Sequence, residues 1–215
     1  MDKKNYLNNS EKKEIITNNS QKKDWVKVLE EISGKPFEPY GPVKIVYLIV
    51  DCSGSMAESN KMEQAKRGAY GFAENAQKKD YYVGLIQFAS DADHIIDPQI
   101  DVKILNGYLE KMVAGGSTNM AAAIRLVVDK FEGKLGEKVI CIITDGMPDD
   151  RKAALDVAND ARTKGIDIMT IGTDDADKAF LEKLATRKDL SLKVSRDRLE
   201  LGIVSMAKML PEKNE

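Results

Sequence analysis

From residue 43 onward the chain alternates short apolar runs with longer segments whose apolar positions recur at helical spacing. Lys44 to Val50 (KIVYLIV) and Lys138 to Thr144 (KVICIIT) are nearly continuous apolar runs, the signature of strands covered on both faces. Tyr82 to Phe88 and Ile166 to Ile171 read as further strands, Asp93 to Ile96 as a short edge strand and Leu192 to Val194 as another. Between them the periodicity predicts helices over Met62–Gln77, Val102–Met112, Met120–Phe131, Lys152–Lys164, Ala176–Arg187 and Arg198–Met209, with Gly165 as a carboxy-terminal cap. This alternation predicts an α/β fold: an open, mostly parallel, doubly wound sheet with helices on both faces and a short antiparallel edge strand.

The segment before residue 43 has a different character. Met1 to about Ser20 is rich in Asn, Lys, Glu and Ser, so it offers little apolar area to offset the entropy of ordering. Trp25, Val28, Leu29 and Ile32 then fall at helical spacing, predicting a short amphipathic helix near residues 22–33 that packs on the domain edge. Pro36, Pro39 and Pro42 stiffen an extended linker between that helix and the first strand. The expected organisation is a flexible extension over 1–42, one domain over 43–210 and a tail over 211–215.

Charge narrows the range of partners. Lys plus Arg total 33 against 35 Asp plus Glu, so no basic excess is available to neutralise nucleic-acid phosphates. The apolar runs are strand-sized, too short to cross a bilayer. The start, MDKKNYLNNSEKKE, lacks the apolar centre of a signal peptide, and a cytoplasmic location is the expectation. Cys52 and Cys141 have no zinc-site spacing and are expected to be reduced.

In open α/β sheets, ligands gather beyond the carboxyl ends of the strands, where strand order reverses. Asp51 directly follows the first apolar strand, and Asp145 directly follows KVICIIT. If those strands are neighbours, the two carboxylates share one crevice. Asp51-Cys52-Ser53-Gly54-Ser55 adds two hydroxyls on a loop that Gly54 helps bend. Gly115-Gly116-Ser117-Thr118-Asn119 adds a glycine-rich loop ahead of a helix. Oxygen donors alone suit a hard cation, Mg²⁺ or Mn²⁺.

These three segments, within KIVYLIVDCSGSM, GGSTNMAAAI and ITDGMPDD, resemble the von Willebrand factor A-type domain. The resemblance runs from about Val43 to about Met209. It implies that family's Rossmann-like fold and its metal-ion-dependent adhesion site, with Asp51, Ser53, Ser55, Thr118 and Asp145 as metal residues. It further implies that the cation grips a Glu or Asp of a protein partner, with neither nucleic acid nor membrane involved. The absence of a signal segment favours a cytoplasmic adaptor, as in bacterial assemblies beside chelatase-like ATPases or in tellurite-resistance and stress-response systems. SMAKMLP near the end resembles the tellurite-resistance type.

Enzymatic readings fare worse, and the expectation is a non-enzyme. A Mg²⁺-dependent phosphatase using Asp51 is the alternative, but the dehalogenase-like pattern needs a second Asp where Ser53 stands. There is no Gly-x-Ser-x-Gly elbow and no phosphate-cradling Gly-x-x-x-x-Gly-Lys-Ser/Thr loop. Several other residues read as structural. Asp149 and Asp150 are expected to favour the start of a helix, Asp174 and Asp175 to cap the next one, and Asn119 to shape its loop. Lone His94 reads as structural, Met206 and Met209 as core filler, and Lys22, Lys23, Lys78 and Lys79 as solvated faces.

Overall fold

A computed structural model of the protein describes residues 43–211; the amino-terminal helix expected near 22–33 lies outside them, as do Lys22 and Lys23. Six strands form one sheet: β1 (Val43–Asp51), β2 (Tyr81–Phe88), β3 (Ala92–Gln99), β4 (Gly136–Thr144), β5 (Ile166–Gly172) and β6 (Ser191–Lys193). Their order is β3-β2-β1-β4-β5-β6. All neighbours are parallel except β2 and β3, so the expected antiparallel edge strand is present, though it runs over eight residues instead of four.

The helices are α1 (Lys61–Gln77), α2 (Lys103–Leu109), α3 (Met120–Lys130), α4 (Arg151–Thr163), α5 (Lys178–Leu184) and α6 (Leu199–Met206). Strand side chains alternate between the two faces. Val46, Leu48 and Val50 of β1 join a core with α1, α2 and α6, while Ile45, Tyr47 and Ile49 join a second core with α3, α4 and α5. That double covering is why β1 and β4 carry almost no polar residues in their interiors. Gly84 of β2 sits opposite Tyr47, where a β-carbon would overlap the Tyr47 ring. The space it leaves lets Tyr47 meet Phe131 edge-on, 5.4 Å between ring centroids.

Several expected boundaries contract. α5 begins only at Lys178 because Asp177, accepting from the Phe180 amide, caps it; Asp174 and Asp175 do not. α6 gives way to a tighter 3-10 turn over Ala207–Met209, and Met209 is 38% exposed, so it is not core filler as Met206 is. Lys79 is not merely solvated: its ammonium donates to the carbonyls of Lys208 and Leu210, both at 2.9 Å, tying the segment after α6 to the end of α1. Gly165 ends α4 in the left-handed region, φ 68°, as its position implies.

The order reversal lies between β1 and β4. β1 has β2 on one side and β4 on the other, and Val50 pairs with Ile143, so Asp51 and Asp145 leave the sheet side by side. This is the topological switch point at which ligand sites form.

Candidate metal centre

Asp51, the last residue of β1, is fully buried. Its Oδ1 accepts from the Ser53 amide at 2.8 Å, a local turn that Asp makes readily, and its Oδ2 accepts from the Thr144 hydroxyl at 2.5 Å. Both oxygens are therefore oriented by neighbours, one on its own loop and one on the adjacent strand. Ser53 Oγ lies 3.1 Å from Ser55 Oγ, and the Ser55 hydroxyl donates to Asp145 Oδ1 at 2.7 Å. Four of the five expected residues thus form one hydrogen-bonded chain across the crevice.

Thr118 joins them through the backbone of its loop. The Gly54 amide donates to the Gly116 carbonyl at 3.1 Å and the Gly115 amide to the Cys52 carbonyl at 2.7 Å, lacing the glycine loop to the Asp51 loop. Gly116 has φ 83°, and a β-carbon there would press on the Ser90 hydroxyl, so glycine is required on both counts. The Asn119 amide donates to the Ala89 carbonyl at 2.7 Å, and its side chain caps α3 by accepting from Ala122, as the loop-shaping expectation implied. Thr118, 9% exposed, is held between these fixed points.

Burial pushes the Asp51 carboxyl up to about 6, against the opposing bonds from Thr144 and Ser53 and with nearby Asp145 adding to the rise. Lys61, 1% exposed, places its ammonium on Asp145 Oδ2 and 3.4 Å from Asp175 Oδ2. Burial works against the Lys61 charge, but bonds with the two carboxylates outweigh it and hold the group above its ordinary range. Burial raises the Cys52 thiol to about 12, with Asp51 adding to the rise; burial alone does the same for Cys141, and both cysteines are free.

The donor set fits a hard divalent cation. Two hydroxyls and Asp145 Oδ1 converge within hydrogen-bonding distance, and a second buried carboxylate stands behind them with its charge incompletely answered. Among the described residues no three His, Cys, Asp or Glu side chains gather as a ligand set, so any cation held here depends on hydroxyls. Ser53 is buried, whereas Ser55 and Gly54 are exposed, so the cluster opens to solvent on that side.

The von Willebrand factor type A domain model matches residues 46–201. The chain belongs to that family. A sequence search of the curated proteins returned no match. Among solved structures, the pilus adhesin SpaC from Lactobacillus rhamnosus GG is similar over 80% of this chain and 31% of its own, with 19% identity and TM-score 0.70. The von Willebrand domain of the pilus tip protein Mfa5 from Porphyromonas gingivalis covers 80% of this chain and 96% of its own, with 12% identity and TM-score 0.69. Proximal thread matrix protein 1 from the mussel byssus, in a structure with a zinc-occupied MIDAS motif, covers 78% of this chain and 46% of its own, with 16% identity and TM-score 0.63. The chain thus spans about a third of SpaC and less than half of the byssus protein, and these likenesses speak to the fold.

Within this A-type domain, three residues bear on the site in ways the sequence reading did not assign: Lys61, which it passed over, and Asp149 and Asp175, which it gave to helix starts. Lys61 reads in sequence as the residue before a helix. Asp149 was expected to serve the start of α4, but Asp150 is the cap there, accepting from Ala153. Asp149 instead accepts from the Thr118 amide through both carboxylate oxygens, each at 3.1 Å. Asp175 pairs with Lys61 and Arg196, and Asp174 accepts from the Arg196 amide at 3.2 Å.

Proposed function

We propose that this A-type domain is a metal-dependent interaction module. Ser53, Ser55, Thr118, Asp51 and Asp145 hold Mg²⁺ or Mn²⁺, and the cation grips a Glu or Asp side chain of a protein partner. The observation that carries this reading is the hydrogen-bonded run from Ser53 through Ser55 to Asp145, with buried Asp51 behind it, at the switch point of the sheet. Three of the five donors are neutral hydroxyls, and a carboxylate arriving in a partly dehydrated site completes the cation's shell.

A phosphatase reading through Asp51 is less well supported. The dehalogenase-like pattern needs a second Asp two residues after the first, where Ser53 stands. We read the domain as non-catalytic. The further proposal is that it assembles a cytoplasmic bacterial complex of the stress-response, tellurite-resistance or ATPase–chelatase kind. That part rests on the SMAKMLP segment.

The test is a Mn²⁺ titration followed by electron paramagnetic resonance, on the parent and on Asp51→Ala and Asp145→Ala. Loss of bound Mn²⁺ in both folded variants is expected. Unchanged binding in both removes the metal site from these residues.

A further inference from the structure

Lys61 reaches the metal centre by an unusual backbone path. Ser59 and Asn60 both adopt left-handed conformations, φ 52° and 59°, which is uncommon for residues other than glycine. The two together close the Gly54–Asn60 turn and lead into Lys61, the first residue of α1. There its ammonium is buried on Asp145 Oδ2, while Asp145 Oδ1 is held by Ser55. A buried lysine is expensive to desolvate, and one paired with a metal residue's carboxylate competes with the metal for it. A site built only for metal affinity gains nothing from it.

We propose that Lys61 is a resident cation that tunes the site toward anionic partners at the expense of metal affinity. The inference rests on the metal reading given above and adds to it the residue that sets selectivity. Formal charge makes the case. Asp51 and Asp145 together cancel a divalent cation, which leaves a loaded site with little net attraction for a carboxylate. Lys61 adds one positive charge, and its second partner, Asp175, is already answered by Arg196 at 3.2 Å. Lys61 therefore shifts the charge of the loaded site by one unit in the direction that favours a Glu or Asp of the partner. Without metal, Lys61 keeps Asp145 paired with its Oδ1 turned toward Ser55, so the ligand geometry is preserved.

The charge account makes opposite forecasts for two variants. Lys61→Gln removes the charge and retains a donor; Asp175→Asn removes a half-exposed counter-charge and leaves Lys61 in place. On the full chain, calorimetry first titrates Mn²⁺ and then titrates acetate into the Mn²⁺-saturated protein. For Lys61→Gln we expect Mn²⁺ to bind roughly tenfold tighter and acetate roughly tenfold weaker, a scale set by one unit charge in a partly screened site. For Asp175→Asn both changes are expected to reverse in sign and be smaller, and Lys61→Arg is expected to match the parent. Should Lys61→Gln fail to fold, the sign of the Asp175→Asn shifts decides alone. Parallel weakening of both ligands in Lys61→Gln, or no shift in either folded variant while the parent binds Mn²⁺, overturns this inference and leaves the metal reading standing. No Mn²⁺ binding by the parent overturns both.

Discussion

Asp149 and Thr118 hold each other twice: the Asp149 carboxylate accepts from the Thr118 amide at 3.1 Å, and the Asp149 amide donates to the Thr118 carbonyl at 3.0 Å. The pair joins the glycine loop ahead of α3 to the loop ahead of α4. It fixes Thr118 without itself reaching the other metal residues. Groups that orient a ligand in this way typically contribute about 10–100-fold to metal affinity.

Replacing Asp149 with Ala is therefore expected to weaken Mn²⁺ binding about tenfold and to lower stability by about 1–2 kcal/mol, since a charge-assisted hydrogen bond is lost at a partly exposed position. Asp149→Asn, which keeps an acceptor, should lie between. Thermal melts with and without Mn²⁺ measure both effects. An Asp149→Ala protein with parental Mn²⁺ affinity would show that the loop holds its shape by other bonds.

The raised Asp51 carboxyl gives a pH dependence with a definite sign. Its folded value, about 6, lies above the ordinary 3.8, so the metal-free folded state binds the proton more tightly than the unfolded state. The contribution of Asp51 to the stability of the metal-free protein should fall as pH rises from about 4 to about 6, and Asp51→Asn should remove that contribution from the slope. Metal competes with the same proton, so apparent Mg²⁺ affinity should fall as pH drops below about 6. Melts in chelator across this range check the first statement, and metal titrations at the two ends check the second.

Cys52 and Cys141 are both buried and both raised to about 12, so neither forms appreciable thiolate near neutrality. Iodoacetamide should modify them only as fast as the protein opens, and both at once in denaturant. Rapid labelling of Cys52 in the native state would mean that the loop after β1 opens far more often than its bonds suggest.

The seat of α6 argues against large motion there when the site is filled. β-carbons at Gly68 and Gly71 of α1 would strike Ile203 and Val204, and one at Gly202 would strike Ile171 and Val194, so the two helices and the sheet approach closely at three points. Gly68→Ala is expected to destabilise the domain by about 1–3 kcal/mol through overpacking. Hydrogen exchange in α6 should change little between Mn²⁺-loaded protein with and without acetate. A large loss of protection on adding acetate would contradict this.

Most of the fold was legible because burial writes itself into sequence. β1 and β4 are apolar throughout their centres, and the positions of Asp51 and Asp145 at their ends follow from the chain alone. The ends of α2, α5 and α6 were not legible, since the apolar spacing runs on past the point where capping and tight turns stop the helix; Asp177, not Asp174 or Asp175, is the cap. At the site, the five residues proposed to hold the metal stand in recognisable local words. Lys61, Asp149 and Asp175 do not, because their partners lie 21 to 114 positions away and only the fold brings them together. A lysine at a helix start looks the same on paper whether it faces solvent or a buried carboxylate.

The most direct test of the metal site is calorimetric titration of Mg²⁺ and Mn²⁺ into the parent and into Asp51→Ala, each with an acetate series. Saturable metal binding is expected in the parent, tightening as acetate is added and disappearing in Asp51→Ala. Metal binding that survives intact in a folded Asp51→Ala protein, or a parent that binds neither ion, would contradict it.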